Sequence, residues 1–293
     1  MKKIIFINQE TGPLLIDMIN IFATKGFNIT LYTGEVIKTY ENINSNVSIR
    51  KLCKYRKDNH FYRLFTWVTF FLQCAFFIFF DATKKTKVWI STNPPFAPWL
   101  NFIIKNKSYI HVYDVYPNAL LALPFITKSS LIYKIFLYLN KKSYKKSDQI
   151  FTPSNGMKKM LTEMINEEKI DVIPWWADTE FIKPLEKKDN KFIIKHKLLN
   201  TFNVMYSGNL GLTHNIEKIL ESALFLKDHK DIKFIIIGDG PKKKNVDNFQ
   251  KKHNLNNLLI LPFQNEDVLP FSLAAADISI VLDSFASNKD SGS

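Results

Sequence analysis

Short apolar runs alternate with helical stretches along most of the chain, and this alternation constrains the fold more than any other feature. The runs that predict strands are residues 4–8, 28–33, 88–91, 109–113, 149–152, 169–173, 202–207, 233–238, 258–261 and 278–282. Strands separated by helices form parallel sheets with helices on both faces. Two such series meet near residues 174–184, which predicts two Rossmann-like domains, residues 1–180 and 181–293.

The chain is basic, with a formal net charge of +13 over 293 residues, and most of the excess precedes residue 180. A basic first domain favours an anionic partner such as membrane lipid, a phosphorylated substrate or nucleic acid. A compositional bias toward Lys, Asn, Ile and Phe explains the charge equally well. The two cysteines, Cys53 and Cys74, have no paired spacing, which indicates a reducing compartment and neither a disulfide scaffold nor a zinc site.

Residues 61–80 read FYRLFTWVTFFLQCAFFIFF and carry no charge after Arg63. Three interpretations remain open for this segment. Its aromatic content favours a helix that docks at the lipid–water interface. A buried core helix is the second interpretation. A true membrane span is the third, but the run is slightly short for it and a span would divide the first domain.

Several functional classes lack their motifs. No G-x-G-x-x-G follows the first strand, and the sequence has no P-loop, no G-x-S-x-G, no H-E-x-x-H and no C-x-x-C. A dinucleotide oxidoreductase, a P-loop nucleotidase and a nucleophilic hydrolase are therefore disfavoured. The lysine clusters lack base-reading or stacking modules, so we expect no nucleic-acid partner.

Two turns in the first domain are candidate site segments. Gly12 lies between the first strand and a helix, where the absence of a side chain lets a ligand approach the positive end of the helix. A simple turn is the alternative. Asp114 follows a strand in the segment HVYDVYPN, and ligands of open α/β sheets bind at the carboxyl ends of strands. Asp114 is thus a candidate for binding sugar hydroxyls, or else a helix cap or loop brace.

Two further turns lie in the second domain. Residues 206–211 read YSGNLG, and Gly208 with Gly211 predicts a turn whose backbone N–H groups and following helix face an anion such as a diphosphate. Residues 235–241 read IIIGDGP, where Gly238, Asp239 and Gly240 form a tight turn after a buried strand. We expect these last glycines to be structural.

In this order and spacing, the segments resemble glycosyltransferase family 4, in the branch that makes capsule and O-antigen sugars. The resemblance covers residues 109–121 (YIHVYDVYPNALL), 152–158 (TPSNGMK), 172–178 (VIPWWAD), 204–223, 234–241 and 261–282, and so nearly the whole chain. It implies the GT-B fold, with two Rossmann-like domains facing a cleft. Departures are Tyr113 where many members have His, and His214 where many have a cation; Asn209 also replaces a cation of many members, but Asn is common there in this branch.

The resemblance implies retaining sugar transfer from a nucleotide-diphosphate sugar to a lipid-linked glycan acceptor, with no cofactor and no metal. Asp114 would orient a reacting sugar. The first domain would face the acceptor and the inner leaflet of the cytoplasmic membrane, giving a cytoplasmic, peripherally membrane-associated enzyme of polysaccharide biosynthesis. The residues expected to bind the donor are Gly12, Ser207, Gly208, Asn209, Gly211, His214, Gly238, Asp239, Gly240, Phe263 and Gln264.

Members of that family continue past the segment AAADISIV to a pair of glutamates that hold the donor sugar and ribose. This sequence ends at Ser293 without that pair. The resemblance therefore implies an incomplete second domain, and the alternative to an active transferase is an inactive truncated fragment of one.

Overall fold

The computed structural model describes residues 2–37, 43–56, 58–122, 126–211 and 214–282. It divides into two compact units, one ending at Trp176 and the other beginning at Ala177. The expectation about residues 284–293 lies outside the described residues.

The first unit is built on one parallel sheet. In chain order its elements are β1 Lys3–Ile7, β2 Glu10–Thr11, α1 Pro13–Thr24, β3 Asn28–Thr33, β4 Glu35–Val36, β5 Val47–Lys51, α2 His60–Asp81, β6 Lys87–Ser91, β7 Ser108–His111, α3 Leu131–Lys146, β8 Gln149–Thr152, α4 Asn155–Thr162 and β9 Ile170–Val172. Short 3-10 turns occupy Ala97–Phe102, Asn118–Ala122 and Glu167–Lys169. The strand order is β5-β3-β1-β6-β7-β8-β9, and β2 pairs with β4 separately.

Helices cover both faces of this sheet, as the alternation predicts. On β1, Ile4 and Phe6 point to α1, whereas Ile5 and Ile7 point to α2. Ile90 of β6 shares the α2 face and is in register with Ile110 of β7, which packs beneath α3. Since side chains alternate across a strand, α2 and α3 lie on the same face of the sheet.

The second unit is also a parallel sheet with helices between its strands. Its elements are α5 Lys191–His196, β10 Phe202–Ser207, α6 Glu217–Phe225, β11 Ile232–Ile237, α7 Lys243–His253, β12 Leu258–Leu261, α8 Leu269–Leu273 and β13 Ile278–Ser279, preceded by a 3-10 turn at Lys187–Asp189. The strand order is β12-β11-β10-β13, so β13 is an edge strand of the described sheet. Parallel pairing places the turns after β10, β11 and β12 side by side.

Helix α2 is a core helix on one side only. Phe70, Cys74 and Ile78 are buried against β1, β3 and β6. The opposite side is exposed and apolar, with Phe61 74% exposed and Phe79 81% exposed. The core interpretation therefore describes the buried side of the helix, and the interfacial interpretation stays a prediction for the exposed side.

Polar contacts hold α2 to the sheet along its length. The Gln9 side chain donates to the Thr66 carbonyl oxygen at 3.0 Å, and the backbone N–H of Cys53 donates to Gln73 Oε1 at 2.7 Å. At the helix end, Asp81 accepts hydrogen bonds from Arg50 and from the Tyr32 hydroxyl. Among the described residues, the helix Phe61–Asp81 is the one long and apolar enough to cross a bilayer, by length and composition alone.

The prediction differs most clearly from the structure at two strands. Strand β5 has no counterpart among the predicted strands. Only Val47 of its five residues is buried, so the strand lacks the continuous apolar run that predicts the others. The strand predicted at 278–282 ends at Ser279, and Val281 is 93% exposed.

Candidate functional site

The turns after β10 and β11 interlock in the second unit. Gly208 donates its backbone N–H to Ile237 O at 2.9 Å, and Leu210 donates to Asp239 O at 2.8 Å. In the other direction, Lys242 donates its N–H to Leu210 O at 3.1 Å. The two turns therefore form one rigid backbone assembly at the carboxyl edge of the sheet.

Glycine is required in the second of these turns. Gly238 has φ +154° and Gly240 has φ +147°, a region that side-chain-bearing residues rarely adopt. A Cβ on Gly238 would lie 1.9 Å from the carbonyl oxygen of Gly208, and a Cβ on Gly240 would lie 2.7 Å from that of Leu210. These glycines let the turns approach each other, which is the structural role expected for them.

The anion cradle predicted for the turn at 208–211 needs correction in one respect. The N–H groups of Gly208 and Leu210 are already bonded to Ile237 and Asp239, so they are not available to a phosphate. The sequence could not reveal this, because the bonds depend on pairing between two separate turns. Helix α6 begins at Glu217, within one residue of the predicted start.

His214 is tied to the same turn. Its Nδ1 atom lies 2.7 Å from the Asn209 carbonyl oxygen and 2.9 Å from the Tyr206 hydroxyl, which itself donates to Asn209 O at 2.7 Å. A carbonyl oxygen only accepts, so we infer that Nδ1 carries the hydrogen. Nε2 is then the ring nitrogen left to accept a hydrogen bond.

A lysine that the sequence analysis did not single out stands beside this turn. Lys242 Nζ donates to His214 O at 2.8 Å and to Glu217 Oε2 at 3.0 Å. Burial opposes ionisation of Glu217, but bonds from its own backbone and from Lys242 hold its pKa below the ordinary value. Lys242 begins the run KKK after the glycine turn, and only the fold shows which of these lysines is turned to the site.

The remaining donor-binding candidates lie at the same carboxyl edge. Ser207 ends β10 and is exposed, and Asp239 accepts from the N–H of Gly240 at 2.7 Å. Phe263, 55% exposed, and Gln264 follow β12, whose last residue Leu261 accepts from the N–H of Gly238. The fold thus gathers these residues at one edge. The roles assigned to them stay predictions.

Gly12 lies in the first unit and caps α1. Its backbone is extended, with φ −102° and ψ −177°, a conformation open to any residue. A Cβ there would meet only Ile37, at 3.9 Å. The turn therefore does not require glycine, although the absence of a side chain leaves this helix start open.

Asp114 follows β7 at the carboxyl edge of the first sheet. Within the described residues its carboxylate accepts no hydrogen bond and caps no helix, so neither the cap nor the brace interpretation applies. The residue is exposed, yet dense surrounding protein raises its pKa by desolvation. Asn118, by contrast, accepts from the Tyr133 hydroxyl at 2.6 Å and braces the loop against α3.

His111 ends β7 close to Asp114 and is buried. Neither ring nitrogen has a partner in the part of the chain that the structure describes. Its ring centroid lies 4.5 Å from the ring centroid of Tyr113 and 5.8 Å from that of Trp89. Burial lowers the pKa of His111 to about 4, so the ring is neutral at physiological pH.

Residues 187–286, which contain both interlocked turns, match the family model described as "Glycosyl transferases group 1". Over this segment the chain is similar to the group 1 glycosyltransferases. It is 27% identical over 212 residues to a probable glycosyltransferase of Pseudomonas aeruginosa, WbjE. It is 25% identical over 204 residues to a putative colanic acid biosynthesis glycosyl transferase of Escherichia coli K12, WcaI.

These matches cover 68% and 64% of this chain, but only 51% and 47% of the two relatives. The chain thus spans about half the length of the curated relatives it matches. Among solved structures, HepE of Anabaena in complex with UDP and glucose aligns over 95% of this chain and 73% of its own. The TM-score is 0.64 at 14% identity. This similarity shows the GT-B fold and confirms the predicted fold class.

Proposed function

We propose that this protein is a retaining glycosyltransferase of family 4 that moves a sugar from a nucleotide-diphosphate sugar to a lipid-linked glycan acceptor in cell-surface polysaccharide biosynthesis. The observation that carries the proposal is the pair of interlocked turns inside the segment that matches the group 1 family. Support also comes from relatives whose names assign them to glycosyl transfer and colanic acid biosynthesis, and from the UDP and glucose named for HepE.

The second unit would bind the donor diphosphate at the carboxyl edge of its sheet. Transfer leaves negative charge on the departing diphosphate, so positive groups fixed beside it lower the barrier. Lys242 is the candidate cation on this edge, and His214 stays a predicted ligand of the donor. No cofactor or metal is assigned to the reaction. Asp114 in the first unit would accept hydrogen bonds from a hydroxyl of a reacting sugar.

Donor binding is tested by calorimetric titration of the protein with UDP, GDP and dTDP. We expect one of them to bind, and Gly208→Val to abolish binding because a branched side chain would occupy the space over the turn. Gly208→Ala is the control for folding, since its Cβ would meet only the Tyr206 ring, at 3.4–3.5 Å. Unchanged affinity in Gly208→Val would remove this turn from the site.

Turnover separates the proposal from its alternative. A transferase supplied with the matching nucleotide sugar and membrane lipid extract releases the nucleoside diphosphate. Binding without any release would favour the alternative of a chain that binds the donor but does not transfer.

We further propose that the first unit docks on the inner leaflet of the cytoplasmic membrane. The exposed side of α2 presents Phe76, Phe79 and Phe80, and Lys84 with Lys85 follows the helix. On the same face of the sheet, α3 exposes the apolar residues Leu131, Ile132 and Ile135 and then the basic residues Lys142 and Lys145. An apolar surface bordered by lysines fits an anionic lipid–water interface.

Flotation with phosphatidylglycerol vesicles tests this docking. Phe79→Ser with Phe80→Ser should weaken binding at least about tenfold, because each side chain would lose about 1.5–3 kcal/mol of apolar transfer. The matched control is Phe202→Ser with Phe225→Ser, which removes two exposed phenylalanines of the second unit. Phe71 and Phe77 are unsuitable probes since they pack against the core. Equal binding to neutral phosphatidylcholine vesicles would contradict the electrostatic part.

A further inference from the structure

An open cavity of about 700 Å³ lies in the first unit beside the first turn of α2. Its wall comes from three places in the chain: the β2–β4 pair with Glu10 and Glu35, residues 53–56 with Asp58, and the first turns of α2. Gly34 allows the close packing beneath it, because a Cβ there would lie 2.4 Å from the Cys53 carbonyl oxygen. None of these residues belongs to the predicted site.

The cavity combines aromatic rings with hydrogen-bonding groups. Tyr55, Tyr62 and Phe65 line it, and Tyr55 stacks on Trp67 with ring centroids 5.8 Å apart and planes 10° apart. Such a wall offers flat apolar surface with polar groups at its margins. This is the chemistry that a sugar ring requires, since it presents C–H groups on its faces and hydroxyls at its edges.

The charges of the cavity favour a neutral ligand over an anionic one. Among the described lining residues, the carboxylates are Glu10, Glu35 and Asp58, and the cations are Lys54 and Arg56. Both cations are already paired, Lys54 with Glu35 at 2.7 Å and Arg56 with Asp58 at 2.8 Å. A phosphate would have to compete with these carboxylates for the cations, whereas carboxylates accept hydrogen bonds readily from hydroxyls.

The cavity residue Tyr55 and the candidate residue Asp114 both act electrostatically on Tyr116. The pKa of Tyr116 is raised to about 12, first by burial and then by the charges of Asp114 and Tyr55, while Arg63 acts in the opposite direction. Tyr116 therefore lies within electrostatic range of both Asp114 and the cavity residue Tyr55. The exposed apolar side of helix α2 begins at the cavity and continues to the end of the helix.

We propose that this cavity binds an uncharged sugar ring of the acceptor. Tyr55 and Tyr62 contact the sugar ring, and the exposed apolar side of α2 accommodates the lipid part of the acceptor. The assignment rests on the proposed function, because it makes the first unit the acceptor unit. It adds a location and a ligand class: a glycoside with an apolar aglycone, bound through its ring and hydroxyls.

Cys53 lines the cavity and provides the test in the intact chain. The only other cysteine, Cys74, is fully buried and serves as the internal reference for unfolding. Each thiol is labelled with iodoacetamide at pH 8.5, because burial raises the pKa of Cys53. The extent of labelling is then measured by mass spectrometry. The probes are the octyl glycosides of glucose, galactose and N-acetylglucosamine, below their micelle concentrations, against octyl glycerol without a sugar ring.

We expect at least one glycoside to slow labelling of Cys53 at least about threefold while octyl glycerol leaves it unchanged. Tyr62→Leu should abolish this protection. Tyr138→Leu is the matched control: both tyrosines are exposed on a helix with a cation over the ring, at 4.4 Å for Arg56 and 4.5 Å for Lys142. Labelling of Cys74 in any sample reports unfolding and disqualifies that variant.

Protection by octyl glycerol equal to that by the glycosides, or protection by none of the three glycosides, overturns the assignment. Nucleoside diphosphate binding by the second unit is measured in parallel. Donor binding without glycoside protection refutes the cavity assignment alone, and glycoside protection without donor binding refutes the proposed transfer alone.

Discussion

Replacing His111 by Phe should remove an acid-sensitive group from the core of the first unit. The imidazole is buried among aromatic rings, and its two nitrogens have no partners within the described residues. Burial lowers its pKa from 6.5 to about 4. The folded state therefore holds the ring neutral, whereas the unfolded chain accepts a proton near pH 6.5.

The sign and size of the effect follow from this difference. A depressed folded pKa makes the neutral ring's contribution complete above about pH 6.5 and lost progressively as the pH falls toward 4. A shift of about 2.5 pKa units corresponds to about 3 kcal/mol in full, of which about 2 kcal/mol is lost at pH 5. Phe at this position does not titrate, and it removes two buried unpaired nitrogens that cost about 1–3 kcal/mol.

The assay uses tryptophan fluorescence, because all five tryptophans lie at or before Trp176 and so report on the first unit alone. Urea unfolding at pH 7.5 and pH 5 should show a smaller loss of stability for His111→Phe than for the original chain, by about 2 kcal/mol. His229→Phe, in the second unit, is the control. An equal acid loss in both proteins would show that His111 is not the titrating group.

Three further predictions concern the proposed site. Gly238→Ala should destabilise the second unit by at least about 3 kcal/mol, because its Cβ would overlap the Gly208 carbonyl oxygen. Chemical unfolding followed by circular dichroism measures this loss, and an unfolding curve equal to that of the original chain would refute the interlocked turns. Lys242→Met should weaken nucleoside diphosphate binding about tenfold, with unchanged affinity excluding Lys242 as a phosphate partner. Asp114→Asn should lower turnover about 100-fold with nucleoside diphosphate affinity retained, and full turnover would remove Asp114 from the reaction.

Much of the fold follows from the sequence because buried parallel strands read as continuous apolar runs. The predicted strands at 28–33, 149–152, 202–207 and 258–261 match the structure residue for residue. Strand β5 escapes this rule because it lies at the sheet edge with four of its five residues partly or fully exposed. For α2, composition gives the length of the apolar run, and only the sheet beneath it determines which side is exposed.

The site was predictable only in part, for a different physical reason. Glycines and strand ends mark turns in the sequence, so Gly208, Gly238 and their neighbours were predicted at the correct places. Which N–H groups remain available depends on bonds between turns about 30 residues apart. The cavity of the first unit depends likewise on Glu10 and Tyr55, which are distant in sequence and show no shared motif.

The position of α2 within the sheet's strand order has a consequence for how the chain is made. Strands β1, β3 and β5 are synthesised before α2, and they carry Ile5, Ile7 and Tyr32, on which the helix packs. The residues of a receiving surface have therefore already been synthesised when this apolar segment leaves the ribosome, and β6 follows within six residues to extend it. Substitutions that weaken the early strands would expose the nascent helix to membrane insertion or aggregation before β6 arrives.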